Sequence, residues 1–251
     1  LPISSNAISG HNMISFENIS FSVAGRTLVK NSTVSIPNGH KVGLVGKNGT
    51  GKTSLFRLIY GEITLDQGNL KLSKNAQIGG VSQEAPGSSV TLLDTVLASD
   101  RERVDLLQKA EEEKDPLKIA EIQTRLVDID AWSAEARAST ILNGLGFDKH
   151  KQRLACSEFS GGWRMRVALA AVLFSKPDLL LLDEPSNYLD LEGTIWLQAY
   201  ISKYPSTIIL ISHDRALLNN SVNSILHLEN EALHLYSGNY ESFAKTRAAR
   251  L

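Results

Sequence analysis

The residues best suited to chemistry are eight in a row, Gly46-Lys47-Asn48-Gly49-Thr50-Gly51-Lys52-Thr53, which satisfy G-x-x-x-x-G-K-[ST] at every fixed position. Glycines let the backbone curl so that successive N–H groups point inward at an anion, and a following helix adds its positive N-terminal end. A lysine placed as Lys52 is reaches the terminal phosphates of a nucleoside triphosphate, and a hydroxyl placed as Thr53 is can ligate magnesium. Ser54, the next residue, joins the phosphate-side candidates. The plain alternative is a glycine-rich turn ahead of a core helix, and the strand and helix patterns on either side weigh against it.

A second group is Leu179-Leu180-Leu181-Leu182-Asp183-Glu184, four apolar residues ending in two carboxylates. A buried strand would deliver the pair to a sheet edge, where open α/β sheets place ligands. Asp183 suits magnesium, through water, because hard cations prefer carboxylate oxygen. Glu184, one residue on, turns to a different side and is the candidate base for an attacking water. By itself an acidic pair after a strand reads as readily as a helix N-cap or a surface turn. The phosphate loop in the same chain is what moves the reading toward catalysis.

These groups need a scaffold that brings them together. From Ile14 to Val45 the pattern is short and strand-like, with Ile14, Phe16, Ile19 and Phe21 apolar and a turn at Pro37-Asn38-Gly39 before the run Lys41 to Val45. Lys52 to Tyr60 carries Leu55, Leu58 and Ile59 at helical spacing. Two short strands are expected at Asn69 to Leu72 and Gln77 to Val81, then helices from about Leu92 to Leu145, with Pro116 opening a new helix at its first turn. After Ser160 come a helix to Leu173, the strand Leu179 to Leu182, a helix from Leu191 and a strand Thr207 to Ile211. Strands separated by helices predict a parallel sheet covered on both faces, an α/β fold.

At 251 residues the chain is long enough for a full core without disulfides. Its lone Cys156 forms no internal bridge and has no metal-ligand spacing, which fits a reducing, cytoplasmic compartment. A net charge of −1 excludes the basic excess of a protein that carries its own nucleic-acid footprint. Between Asp100 and Arg137 there are eleven acidic against seven basic residues, read as solvated faces of amphipathic helices. No apolar run reaches the roughly 18 residues needed to span a bilayer. Residues 1–12, rich in Ser, Asn and Gly, are read as an expression remnant ahead of a native start at Met13. Asn239 to Leu251 looks helical and basic, and its lack of a stop signal predicts a longer chain.

Phe159-Ser160-Gly161-Gly162-Trp163 lies 23 residues before Asp183 (183 − 160 = 23) and resembles the signature of ATP-binding cassette ATPases. Gln83, in Val81-Ser82-Gln83-Glu84, resembles their Q-loop glutamine; Ser186-Asn187-Tyr188-Leu189-Asp190 resembles the D-loop, and Ser212-His213-Asp214 the switch histidine. The resemblance covers nearly the whole chain from Met13 onward. It implies one cassette over 13–240 with a parallel-sheet core lobe, an antiparallel β subdomain and a helical subdomain at about 88–172, followed by the start of a linker helix at 241–251. It also implies a head-to-tail pair of cassettes, in one longer chain or as a homodimer, in which ATP on one phosphate loop is capped by the other's signature. On that resemblance Ser160, Gly161, Gly162 and Trp163 face the partner's nucleotide, and Leu189 and Asp190 form the D-loop. Gln83 approaches magnesium or the attacking water, and His213 senses the γ-phosphate.

Two departures matter. Such cassettes stack adenine on an aromatic near the second strand, and here Val23 fills that place, with Phe21 close by but equally readable as core. Trp163 stands where many transporters carry Gln, and both helix packing and a partner contact account for it. Three kinds of cassette are compatible with the motor. The first is a cytosolic F-subfamily protein acting on ribosomes, the second the motor of a membrane transporter, and the third a DNA-repair ATPase. Trp163, the run Asp183-Glu184-Pro185-Ser186-Asn187-Tyr188-Leu189-Asp190-Leu191-Glu192, the tail Gly238-Asn239-Tyr240 followed by Arg247 and the 77-residue separation of Gln83 from Ser160 (160 − 83 = 77) resemble the F subfamily. The helical stretch is acidic overall, so a ribosomal RNA contact would need local cations such as Arg101, Arg103 or Lys109; in that subfamily much of the RNA contact comes from the linker between cassettes.

Overall fold

The computed structural model describes residues 12–81 and 83–249. In chain order its elements are β1 (Asn12–Val23), β2 (Arg26–Pro37), β3 (Lys41–Val45), α1 (Lys52–Ile59), β4 (Gln67–Leu72), β5 (Ile78–Gly80), α2 (Leu92–Leu97), α3 (Arg101–Glu112), α4 (Pro116–Asp128), α5 (Ala134–Gly144), α6 (Gly161–Ser175), β6 (Leu179–Asp183), α7 (Leu191–Ser202), β7 (Thr207–Ile211), α8 (Arg215–Ser221), β8 (Ser224–Glu229), β9 (Ala232–Ser237) and α9 (Tyr240–Ala248). They gather into two compact units, one of residues 12–80, 177–187 and 194–249, the other of 81–176 and 188–193. Eleven of the twelve residues read as a remnant lie outside the described residues, and the twelfth, Asn12, opens β1.

The first unit holds two sheets. One is antiparallel, in the order β2-β1-β4; the other runs β5-β6-β7-β3-β8-β9 and is parallel except for the β8–β9 hairpin. β1 explains why its apolar residues fall at 14, 16, 19 and 21 rather than in strict alternation. Asn18, at φ 48°, sits where the register with β2 shifts between Phe16 and Ile19, and this one-residue bulge returns Ile19 and Phe21 to the buried face. Gly68 in β4 permits it, because a Cβ there would lie 2.4–2.5 Å from the Asn18 and Glu17 carbonyl oxygens. Ile14, Phe16, Ile19, Phe21, Leu55 and Leu181 are all buried in one core cluster that joins both sheets to α1.

The second unit is helical. α2 and α5 pack on α6, with Leu92, Val96, Ala138, Leu142, Val167 and Leu173 buried. α4 begins with Pro116 in its first turn, as the sequence predicts, and the Asp115 carboxylate caps it by accepting from Leu117 N at 3.0 Å. α3 buries no residue and α4 only Leu126, so this pair carries the charged stretch on solvated faces. Among the described residues no helix is long and apolar enough to cross a membrane.

The β8–β9 hairpin is the one pair of strands that sequence patterning does not foresee. Its turn is Asn230-Glu231, both at positive φ (50° and 60°), a conformation usually flagged by glycine.

Candidate nucleotide site

Strand order does the assembly. β6, β7 and β3 lie side by side and parallel, so their carboxyl ends meet at one edge of the sheet. β3 runs into the phosphate loop, β6 ends at Asp183 and leads to Glu184, and β7 leads to Ser212 and His213. Residues 130 positions apart thereby touch: Thr53 Oγ1 donates to Asp183 Oδ2 at 2.8 Å.

The loop has the backbone its glycines predict. Gly49 and Gly51 stand at φ 74° and 105°, and a Cβ on Gly46 would lie 2.5 Å from the Leu228 carbonyl oxygen. Gly51 provides no side-chain cap to α1, which leaves the first N–H groups of that helix open toward the loop. Lys52 Nζ donates to the Gly46 and Lys47 carbonyls at 2.9 and 3.1 Å, and Thr50 Oγ1 donates to Lys47 O at 2.9 Å. Burial lowers the Lys52 ammonium below the ordinary lysine value, and the Glu184 and Asp183 carboxylates oppose that shift. Asn48 and Thr53 are exposed, and Ser54 is half-buried at the start of α1.

Glu184 is held in a backbone conformation few glutamates adopt, at φ 48°, which costs on the order of 1–3 kcal/mol. Its N–H donates to Ile211 O at 2.9 Å. Glu184 Oε2 accepts from His213 N at 3.2 Å, while Oε1 is enclosed, has no hydrogen-bond donor aimed at it, and lies 3.3 Å from His213 Nε2. That pair is ionic only when the imidazole is protonated. His213 is itself exposed, and the neighbouring Asp214 caps α8 by accepting from Ala216 N and Leu217 N.

Thr53 and Asp183 offer two oxygens to a hard cation, which fits magnesium. Among the described residues no cluster of three or more His, Cys, Asp or Glu could hold a metal ion. The cleft beside the loop is about 540 Å³. Its walls include Arg26, Thr27 and Leu28 on one side and Arg215, Tyr240 and Arg247 on another, none of which sequence patterning singles out as site residues. Nothing in their spacing marks them; they gather only because β2 packs on β9, and α9 on β8, β9 and α8.

Of the two readings of Phe21, its place in the structure favours core over an adenine contact. Phe21 is fully buried, paired with Val29 in the β1–β2 ladder, and a ring inside the core presents no face to a base. Val23 is partly buried against the same core.

In the second unit Ser160 precedes α6 with an extended backbone and an exposed side chain, and its hydroxyl makes no capping bond to the helix. The first N–H groups of α6 are therefore a second open anion nest, with Gly162 exposed and nothing within 4 Å of where its Cβ would stand. Gly161 is packed against Glu84, whose Oε1 is 2.7 Å from Arg164 Nη2; this ties the segment holding exposed Gln83 to the signature helix. Trp163 packs internally, against Phe147 at 5.2 Å between ring centroids and tilted to Phe159 at 6.5 Å. Leu189 is half-buried. Asp190 is exposed, accepting from Gly193 N at 2.8 Å and meeting Arg166 Nη1 at 3.2 Å. The Gly193 N–H, followed by the Arg166 guanidinium, holds its carboxyl below the usual carboxylate value.

The chain is 45% identical over 242 residues to the probable ATP-binding protein YheS of Escherichia coli K12, covering 95% of this chain and 38% of that protein. It is 41% identical over 249 residues to human ATP-binding cassette sub-family F member 3, covering 95% of this chain and 34% of that protein. The chain thus spans little more than a third of the length of these relatives. A solved structure described as the ATP binding subunit of an ABC transporter superposes with a TM-score of 0.68 at 16% identity, over 94% of this chain and 93% of that one, a likeness of fold. Residues 29–187, running from the second strand through the phosphate loop, signature and Asp183-Glu184, match the family described as ABC transporter, and the chain belongs to that family of ATP-binding cassettes.

Proposed function

We propose that this chain is an ATP-hydrolysing cassette of the F type, one half of a nucleotide-driven clamp that acts on the ribosome. The single observation that carries the chemistry is the juxtaposition of Thr53, Asp183, Glu184 and His213 at the mouth of the phosphate loop. ATP lays its phosphates on the loop N–H groups, and Lys52 exchanges its two carbonyl partners for β- and γ-phosphate oxygens. Thr53 and Asp183 would hold magnesium, which would supply positive charge against the phosphate oxygens. Glu184 Oε1, unsatisfied in the protein alone, accepts the proton of a water that attacks the γ-phosphorus; the bond to the β-phosphate oxygen breaks and ADP leaves. His213 donates to the γ-phosphate. Ser160 and the N–H groups of Gly161 and Gly162 cap the nucleotide of a second cassette, with Gln83 on the segment that answers to it.

A motor for a membrane transporter is the second reading, favoured by the fold likeness to transporter subunits. Identities of 41–45% to YheS and to sub-family F member 3 support the F type more strongly than a 16% likeness supports transport. Glu184→Gln tests the chemistry: turnover falls about 10²- to 10⁴-fold while ATP binding persists, and unchanged turnover removes Glu184 from its role. Cosedimentation of the full-length Glu184→Gln protein with ribosomes under ATP tests the partner. Absence from the ribosomal pellet under ATP refutes the ribosomal part alone.

A further inference from the structure

Arg166 stands in the first turns of α6, three residues past Trp163. The Trp163 ring lies against its guanidinium, with the central carbon 4.3 Å from the ring centroid. The planar fork reaches three acceptors. Nε donates to Tyr188 O at 2.5 Å, and Nη1 donates to Leu145 O at 3.2 Å and to Asp190 Oδ2 at 3.2 Å. Arg166 is only 11% exposed, so these charge-assisted bonds are poorly screened. Gly146 makes room for the arrangement: at φ 95°, its Cβ would lie 3.0 Å from Arg166 Nη1 and 3.5 Å from the Trp163 ring. Two of the three acceptors belong to residues 188–190, which follow Glu184 by four to six positions.

We propose that Trp163 is a positioning residue: its ring orients Arg166, and Arg166 locks the segment Tyr188–Asp190 to the first turns of α6. An arginine side chain has four rotatable bonds, and a ring stacked on the guanidinium leaves the fork few orientations in which to lose its acceptors. The inference rests on the reading that the start of α6 receives a second cassette's nucleotide. A phosphate arriving at the N–H groups of Gly161 to Trp163 then acts on the same turn that grips the segment trailing Glu184. Each cassette thereby links the site it caps to the site it hydrolyses.

The test combines hydrogen exchange over residues 188–193 with steady-state hydrolysis in Trp163→Leu, Trp163→Phe and Arg166→Lys. Trp163→Leu and Arg166→Lys are expected to speed exchange at Gly193 and its neighbours about tenfold with α1 and β6 unchanged. Both lower kcat about tenfold and leave KM for MgATP within about twofold, and Trp163→Phe, which keeps an aromatic face, recovers part of the loss. Trp163→Leu combined with Arg166→Lys lowers kcat no further than Arg166→Lys alone. The proposal is overturned if Trp163→Leu lowers kcat with exchange over 188–193 unchanged, or if the two losses multiply. Should Trp163→Leu fail to fold, Trp163→Phe and Arg166→Lys carry the same comparison. Wild-type hydrolysis independent of cassette concentration, in the isolated chain, sinks the two-cassette reading, while the exchange data still decide the positioning.

Discussion

Thr53 Oγ1 donates to Asp183 Oδ2 at 2.8 Å, joining the end of the phosphate loop to the end of β6 across the intervening strand β7. A hydroxyl and a carboxylate at that separation need little movement to share one hard cation. Thr53→Val and Asp183→Asn are each expected to abolish the advantage of MgATP over metal-free ATP, a loss of about tenfold in affinity for MgATP, at the scale of one charge-assisted hydrogen bond. Titrating a fluorescent ATP analogue with and without EDTA measures it. An intact magnesium advantage in both variants removes these two residues from the cation.

Gly46 and Gly49 serve the loop for different reasons, and their alanine variants should separate accordingly. A Cβ on Gly46 meets backbone, the Leu228 carbonyl oxygen at 2.5 Å, so β3 or β8 must shift. A Cβ on Gly49 meets open space and suffers only its φ of 74°. Gly49→Ala is expected to cost about 1 kcal/mol in stability, and Gly46→Ala more, about 2–3 kcal/mol, with loss of ATP binding. Denaturant melts of the two variants check the order; equal costs would mean the Leu228 contact relaxes freely.

Phe21 is core, and its removal should show it. Phe21→Ala is expected to destabilise the first unit by about 3–5 kcal/mol, while the fraction that remains folded binds ATP with unchanged affinity. Folded protein that keeps its stability but loses nucleotide affinity would return Phe21 to the site.

How much of this was legible follows from how local each feature is. The phosphate loop is contiguous, so its residue types declare its conformation, with Gly49 and Gly51 at positive φ. The strand Thr207–Ile211 is buried on both faces, is legible from its apolar run Ile208–Ile211, and matches β7 residue for residue. The bulge at Asn18 is invisible in alternation, so the sequence leaves Phe21 open between core and site, and the β8–β9 hairpin is missed because Glu231 takes the conformation that glycine usually announces. Arg26, Tyr240 and Arg247 approach the cleft from the two ends of the chain. The grip of Arg166 on Asp190, 24 positions away, has no periodic signal at all, since it depends on where the chain returns after β6.

His227 allows a prediction about acid. Its ring is buried in β8, edge-on to Phe243 of α9 at 5.0 Å, with Glu229 at 3.8 Å and Arg247 bonded to the same glutamate. Burial lowers the imidazole below its ordinary value of about 6.5; the Glu229 carboxylate opposes this, and Arg247 and His234 add to it. The sign follows from linkage. Below about pH 6.5 the unfolded chain takes up a proton that the native His227 still refuses, so stability is full above that pH, declines as pH falls toward the lowered native value, and levels off beneath it. His40, also lowered by burial and next by Lys41, contributes in the same direction. Unfolding free energies from denaturant melts between pH 8 and 5 are expected to fall with acid, and His227→Gln should flatten part of that slope while leaving the part owed to His40. A slope unchanged in His227→Gln would show that the imidazole accepts its proton within the folded β8–β9–α9 layer.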